Sequence, residues 1–215
     1  MNTFGNKAGL VVLTLLAASV ANADNDFGLG VKVGTLGIGL EASWKPLPYM
    51  DIRIGTSSYD YDNDGKYGNI NYDAVFALDQ YYATANFHFP ISPMRISAGI
   101  YSNGNEFLLI NDQFDDIGVY PGDQIGIITS KTTFDGTAPY LGIGFDFTLA
   151  GKLGLNFDLG VLWQGEPEVT LDADGILGLD PNFQDALEAE RQALEDDLSD
   201  FKAWPVISLG FVYKF

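Results

Sequence analysis

The segment from Asp60 to Gly65 has the residue types and spacing of a calcium-binding loop. Asp60, Asp62 and Asp64 stand at alternate positions, and calcium prefers oxygen ligands of this kind. Gly65 follows where such a loop turns sharply. The match covers half of the motif, because Asn71 stands where a bidentate glutamate belongs. Two interpretations stay open: a Ca²⁺ site in a loop, or a polar turn without an ion.

Residues for acid–base or nucleophilic catalysis are scarce. The chain has one histidine, His88, and no cysteine, which excludes thiol catalysis, disulfides and zinc–thiolate sites. No G-x-S-x-G elbow is present. We therefore predict no catalytic residues, no enzyme activity and no cofactor besides that calcium ion. His88 is interpreted as a hydrogen-bonded interior residue, and a lipid-modifying enzyme stays a distant third function.

The composition describes one folded, strongly acidic domain. The 215 residues include 29 acidic and 11 basic side chains, a formal charge of −18, and 47% of the chain is apolar. This charge excludes nucleic acid as a partner, because binding to phosphates needs clustered lysine and arginine. The high content of apolar and aromatic residues argues against disorder.

Residues 1–23 have the pattern of a cleaved secretory signal peptide. Lys7 gives a positive start, an apolar stretch covers 10–18, and Ala21-Asn22-Ala23 offers the small residues that signal peptidase requires. The apolar stretch is shorter than the roughly 20 residues of a spanning helix. The mature domain is therefore predicted to be residues 24–215, exported across the inner membrane.

The mature chain alternates between apolar and polar residues over many short segments. At the C-terminus Phe211, Tyr213 and Phe215 point to one face, and residues 153–163 place Asn156 and Asp158 opposite a long apolar row. Lipid outside and a polar interior explain both faces. The ending in Phe211, Tyr213 and Phe215 is also the signature that the outer-membrane barrel-assembly machinery recognises. The sequence thus predicts an all-β transmembrane barrel in the outer membrane of a Gram-negative cell.

Eight antiparallel strands account for the pattern. Seven segments alternate clearly, and an even number is needed to leave both chain ends at the periplasmic side. Gly34-Thr35-Leu36-Gly37 supplies a tight turn that adds a first, short strand. Short connections at 45–48, 90–93 and 149–152 predict periplasmic turns, and long polar stretches at 60–74, 105–131 and 165–203 predict extracellular loops. The predicted strands are 28–33, 36–44, 50–55, 82–89, 94–101, 141–147, 153–163 and 206–215.

The alternation places three bases and four acids inside the barrel. One interpretation is a mutually paired polar plug, since small barrels are filled by side chains. The other is a narrow, cation-preferring solute path, widened by inward glycines at positions 39, 99, 142, 144, 154 and 160. The predicted interior charges are Lys32, Glu41, Asp51, Arg53, Arg95, Asp146 and Asp158.

The last long loop is predicted to contain an acidic amphipathic helix. Asp180 is a suitable N-cap and Pro181 a suitable first residue. Leu187, Leu194 and Leu198 recur at helical spacing. The helix is expected either to cover the barrel mouth and concentrate cations, or to be a solvated surface that binds divalent ions among lipopolysaccharide phosphates.

Several segments resemble the CarO-type, ornithine-uptake porin-like barrels of proteobacteria. They include 33–39, 138–144, 158–161, 165–169 and 204–215. The resemblance implies an eight-stranded barrel without a wide pore and uptake of basic amino acids, although no substrate-binding residue carries over. Two functions therefore stay open. One is a narrow channel for small cationic or amino-acid-like solutes, and the other is a plugged structural or surface-interaction barrel. Expected partners are outer-membrane lipid, lipopolysaccharide and the assembly machinery, and the barrel is expected to be a monomer.

Overall fold

Eleven strands form one antiparallel sheet in a computed structural model that describes residues 26–67, 70–111 and 122–215. Side chains are described in these ranges except at 62–67, 70–73, 122–123 and 200. The predicted signal peptide, residues 1–23, lies outside the described residues. The strands are β1 (Phe27–Gly34), β2 (Gly37–Leu47), β3 (Met50–Tyr67), β4 (Ile70–His88), β5 (Met94–Asn103), β6 (Glu106–Asn111), β7 (Ile128–Thr133), β8 (Thr137–Ala150), β9 (Leu153–Trp163), β10 (Glu168–Ala173) and β11 (Ala203–Lys214). The helices are α1 (Gly122–Ile125) and α2 (Pro181–Leu198), with 3₁₀ turns at Ile176–Leu179 and Ser199–Lys202.

Eight of these strands close into a barrel. Their order around the wall is β1, β2, β3, β4, β5, β8, β9 and β11, and β1 pairs with β11 to complete the circle. The closed, eight-stranded antiparallel fold is therefore confirmed, including the short first strand. Closure removes the free sheet edges, so the wall pairs its backbone groups without water, as a lipid environment requires.

The outer wall is apolar and has the layered composition of a membrane-spanning barrel. An aliphatic band includes Val31, Ile54, Ile143 and Leu209, which are between 41% and 56% exposed. Aromatic side chains flank this band, as they do at membrane–water interfaces. Those near the chain termini are Phe27, Trp44, Phe87, Phe147 and Tyr213, and those at the opposite end are Tyr81 and Trp163.

The two barrel ends differ. The turn end carries the connections 48–49, 89–93 and 151–152 together with both ends of the described chain. The loop end carries the long connections, plus the turn between β1 and β2, where Gly37 adopts a positive φ of 96°. Leu36, which the alternation placed on the lipid face, is instead buried at 6% exposure. It belongs to that turn and not to β2, so strand periodicity does not apply to it.

The predicted loops contain more regular structure than expected. Strands β3 and β4 stay paired from Met50 to Tyr67, so 60–74 is mostly an extended hairpin and not a loop. Strands β6, β7 and β10 continue the sheet beyond the outer part of β4. We call this part of the sheet, beyond the barrel wall, the extension. It forms because the long β3–β4 hairpin offers a strand edge on which further strands can pair.

The calcium-like segment lies within this hairpin. Asp60 pairs with Ala77 and Asp64 with Asp73, so the backbone at 60–67 is extended and paired, unlike the curved backbone of a calcium loop. The side chains of Asp62 and Asp64 lie outside the described residues. Calcium binding by Asp60, Asp62 and Asp64 therefore stays a prediction, on a backbone different from the one expected.

Helix α2 begins where the sequence indicated. The Asp180 side chain accepts hydrogen bonds from the backbone N–H groups of Asn182 and Phe183, with Pro181 as the first helical residue. The helix lies along β10, and Glu195 accepts a hydrogen bond from the Val169 N–H at 3.1 Å. No helix in the described ranges is long and apolar enough to cross a membrane.

Candidate functional site: the barrel interior

All seven predicted interior charges lie in one connected cluster, which we call the charged layer. Arg53 of β3 donates to both oxygens of Asp51 at 3.2 Å, and to Asp146 of β8 at 2.9 Å. Arg95 of β5 donates to Asp146 at 3.1 Å and also to Asp158. These contacts join strands from different parts of the wall, so the layer extends across the interior.

The remaining members join through Glu41. Its carboxylate lies 3.4 Å from Arg53 Nη1 and 3.6 Å from Lys32 Nζ. The amide of Asn156, oriented to satisfy both of its neighbours, accepts from Arg53 across the barrel at 3.0 Å. The layer thus pairs each of its bases with at least one acid. Buried charges are tolerated under this condition, because an unpaired charge would be very costly.

A layer of three tyrosines lies next to the charged layer, on the side of the loop end. Tyr82 stacks on Tyr101 with ring centroids 4.9 Å apart, and Tyr101 contacts Tyr140 at 5.3 Å. The Tyr82 hydroxyl donates to Glu41 at 2.9 Å, and Lys32 lies 4.4 Å from the Tyr82 ring centroid. We call these rings the tyrosine layer. They pack with Leu36, Ala138, Leu162, Val206 and Trp204.

Buried amide groups close the mouth at the loop end. Gln80 donates to Asn105 at 2.7 Å, Asn105 donates to Gln164 at 3.3 Å, and Gln164 donates to the carbonyl of Phe201 at 2.9 Å. We call these three side chains the amide chain. Beside it, Phe107 contacts Phe76, Phe134 and Trp204.

The turn end, in contrast, opens into a cavity of about 680 Å³, which we call the vestibule. Its inner wall is the charged layer, with His88 beside it. The interior is therefore asymmetric: accessible from the turn end and filled by three successive layers toward the loop end. Vestibule residues include Glu41, Lys45, Asp51, Arg53, His88, Asp146, Asn156 and Lys214.

His88 is held between two carboxylates. Its Nε2 atom lies 2.6 Å from Asp51 and its Nδ1 atom 3.5 Å from Asp146. These acidic partners differ from the serine that a lipid hydrolase would need beside its histidine.

The inward glycines do not widen a path. A Cβ atom at Gly144 would lie 2.5 Å from Arg95 Cζ, and one at Gly160 would lie 2.5 Å from the Tyr140 ring. The hypothesis that these glycines leave open space is therefore wrong for these two positions. Each instead provides the room in which a large interior side chain lies flat against the wall.

Gly160→Ala is expected to destabilise the barrel by about 1–3 kcal/mol, because the Tyr140 ring must move in a filled interior. Urea-dependent unfolding in lipid vesicles measures the change. Gly136→Ala is the matched control, since a Cβ at Gly136 has no described atom within 4 Å. Equal stability of the two variants would contradict the packing role of Gly160.

Fold and interior define a class of protein: a small, eight-stranded transmembrane β-barrel with a filled lumen.

No known family model matches the sequence, and no curated protein sequence matches it significantly. Among solved structures, CarO of Acinetobacter baumannii has a TM-score of 0.59 and 23% identity, covering 87% of this chain and 97% of CarO. CarO2 of Acinetobacter baumannii also has a TM-score of 0.59, with 19% identity over 88% and 98% of the two chains. A major outer membrane protein of Thermus thermophilus is 14% identical over 88% and 98%, with a TM-score of 0.38. The resemblance to CarO-type barrels is thereby confirmed for the fold.

Sequence reasoning missed the tyrosine layer and the amide chain as closing elements. Tyr82 and Tyr101 stand at inward positions of the alternation, so their orientation was available from the sequence. Asn105 follows the end of β5, where the strand period no longer indicates a direction.

Proposed function

We propose that the protein is an outer-membrane barrel with a closed lumen, whose role is to anchor the extension and helix α2 outside the cell. One observation carries this proposal: side chains in every layer between the vestibule and the loop end are almost completely buried. Arg95 is 1% exposed, Tyr101 2%, and Leu162 and Gln80 are both 0% exposed. A hydrated solute has no room beside side chains packed to this degree.

The charges of the interior support closure. A path past Arg95 would need its guanidinium to leave Asp146 and Asp158, and Asp158 would then be a buried carboxylate without a base. Such a loss costs several kcal/mol, so thermal motion alone opens the layer rarely. We infer that the charged layer stabilises the wall and does not conduct.

The exposed part outside the membrane is then the functional surface. Helix α2 carries six acidic residues and one base, Arg191. Arg191 donates to Glu188 at 2.7 Å and also to Glu195. The hydrogen bond from Arg191 lowers the pKa of Glu188 to about 2, so this carboxylate stays ionised at physiological pH. A constantly negative surface of this kind is suited to divalent cations that bridge it to lipopolysaccharide phosphates.

Liposome swelling tests the closed lumen. We expect vesicles that contain the mature protein to swell no faster than protein-free vesicles in ornithine, glycine or a neutral sugar. A general-diffusion porin, reconstituted at equal density, provides the positive control. Swelling in all three solutes, or in ornithine alone, would contradict the proposal.

A narrow cation-preferring channel is the second candidate, and the vestibule favours it. The vestibule brings Glu41, Asp51 and Asp146 to a cavity open at the turn end. If the charged layer is a gate, Arg95→Ala raises conductance in planar bilayers. We expect the conductance of this variant to stay at background, because the tyrosine layer and the amide chain still fill the lumen.

A further inference from the structure

Asp51, His88 and Asp146 meet where the charged layer borders the vestibule. One oxygen or nitrogen atom from each residue can be chosen so that all three atoms lie within 4.8 Å of one another. No other group of three such residues in the described part of the chain meets this condition. We propose that these three side chains bind a divalent transition-metal ion of the Zn²⁺ class.

The barrel wall fixes these donors. Asp51 and His88 lie on the paired strands β3 and β4, and Asp146 lies on β8. Neighbouring strands and cross-barrel contacts thus set the positions of all three, and no flexible loop contributes a donor. A site built on rigid strands needs little reorganisation to accept an ion.

The donor set suits a transition metal better than calcium. One imidazole nitrogen and two carboxylate oxygens are typical of sites for zinc, copper or iron, whereas calcium takes oxygen donors. The present 2.6 Å between His88 Nε2 and Asp51 leaves room for a proton only. Metal–ligand bonds of about 2.0–2.2 Å need a somewhat larger separation, which small side-chain rotations provide.

The two arginines orient the carboxylates: Arg53 donates to both oxygens of Asp51, whereas one oxygen of Asp146 receives no donor within the described ranges. Arg53 and Arg95 both donate to the Oδ2 atom of Asp146. The Oδ1 atom of Asp146 is buried and has no hydrogen-bond partner among the described residues. A buried carboxylate oxygen without a donor is unusual, and it leaves Asp146 with the capacity for one more partner. Outer partners that hold a ligating carboxylate are a regular part of metal sites.

The charge balance permits an added cation. The charged layer contains three fixed bases and four acids, so it carries one surplus negative charge when His88 is neutral. His88 must be neutral to bind a metal, because the ligating nitrogen needs a free electron pair. A divalent ion then changes the net charge of the layer by two units and leaves it at one positive charge.

The vestibule makes the site accessible from the turn end. Its lining includes Asp51, His88 and Asp146 themselves, beside a cavity of about 680 Å³. Three protein donors leave further coordination positions free, which is typical of sites that exchange their metal or bind a second molecule.

Copper spectroscopy tests this site on the purified mature protein, produced without a polyhistidine tag. His88 is the single histidine of the chain, so imidazole coordination of Cu²⁺ identifies it directly. We expect one Cu²⁺ ion per chain. Its electron spin echo signal should be modulated by the distal nitrogen of an imidazole ring, and an amino group does not produce this modulation. In a calorimetric titration of the metal-free protein Zn²⁺ should occupy the same site, and Cu²⁺, which binds such donors more tightly, should displace it. Copper without imidazole modulation in the wild type would overturn the proposal.

Variants provide the second arm of the experiment. His88→Gln and Asp146→Asn should each weaken Zn²⁺ binding by at least about tenfold, since even an outer partner of a metal ligand contributes that much. Glu166→Gln, in the connection between β9 and β10 at the loop end, is the matched control, and its affinity should equal that of the wild type. Heat-dependent gel migration verifies that each variant forms a barrel. Unchanged Zn²⁺ affinity in folded His88→Gln or Asp146→Asn would overturn the proposal, as would a loss of equal size in Glu166→Gln.

Discussion

Arg95→Ala is expected to destabilise the folded barrel by about 3–5 kcal/mol, the effect of removing one member of a buried ion pair. Arg95 is 1% exposed and donates to Asp146, Asp158 and Asn86. Without its guanidinium, Asp158 keeps the hydroxyl of Ser208 as a partner but loses its base. Urea-dependent unfolding in lipid vesicles, followed by tryptophan fluorescence, measures the loss.

An exposed ion pair provides the control for this experiment. Lys131 lies 2.9 Å from Glu106, and these side chains are 44% and 40% exposed. Lys131→Ala should cost at most about 1 kcal/mol, because water screens an exposed pair. If Arg95→Ala costs no more than Lys131→Ala, the charged layer does not stabilise the barrel.

Ile143→Arg is expected to destabilise the barrel by about 2–4 kcal/mol in lipid. Ile143 is 42% exposed on the outer wall and pairs with Ile96 and Leu159, which also face outward. An arginine there must place its charge in hydrocarbon near the membrane centre. Equilibrium refolding into vesicles gives the free energy.

The depth of the substituted residue in the membrane determines the expected cost, so a second position on the same strand provides the control. Leu149 is also on the outer wall, 56% exposed, but it lies at the turn end of the same strand. Leu149→Arg should cost about 0–1 kcal/mol, because its charge reaches the membrane interface. Equal costs at the two positions would show that the apolar band does not lie in hydrocarbon.

The barrel strands could be predicted because lipid imposes a strict pattern on the sequence. A wall with hydrocarbon outside and charges inside requires alternation of period two, and residues 153–163 and 206–215 show it plainly. The same period placed Arg53, Arg95 and Asp158 inside. Interior charges could be predicted for the same reason as the strands.

The extension could not be predicted, because no lipid acts on it. Strand β7 reads Ile-Thr-Ser-Lys-Thr-Thr and looks like a polar loop. It becomes a strand because β6 and β10 pair with it on either side. Such pairing depends on tertiary context, which outweighs the weak local preference of these residues.

Closure of the lumen could not be predicted from the sequence either. Alternation shows that a side chain points inward, but the height at which two inward side chains meet depends on the stagger of the closed barrel. Tyr82 and Tyr140 lie on strands that are not adjacent, so their common contact with Tyr101 required the structure. The glycines were predicted wrongly for the same reason. The packing role of Gly160 can be recognised only when the position of the Tyr140 ring is known.

The unbroken register of β3 and β4 has a mechanical consequence. Eighteen residues at about 3.3 Å each extend roughly 60 Å, about twice the thickness of the hydrocarbon core. The same two strands carry Arg53 and Asn86 in the barrel interior and continue to Tyr67 and Ile70, without a bulge between the paired residues. Force applied to the part of this hairpin beyond the barrel wall would therefore be transmitted along the paired strands to the interior of the protein.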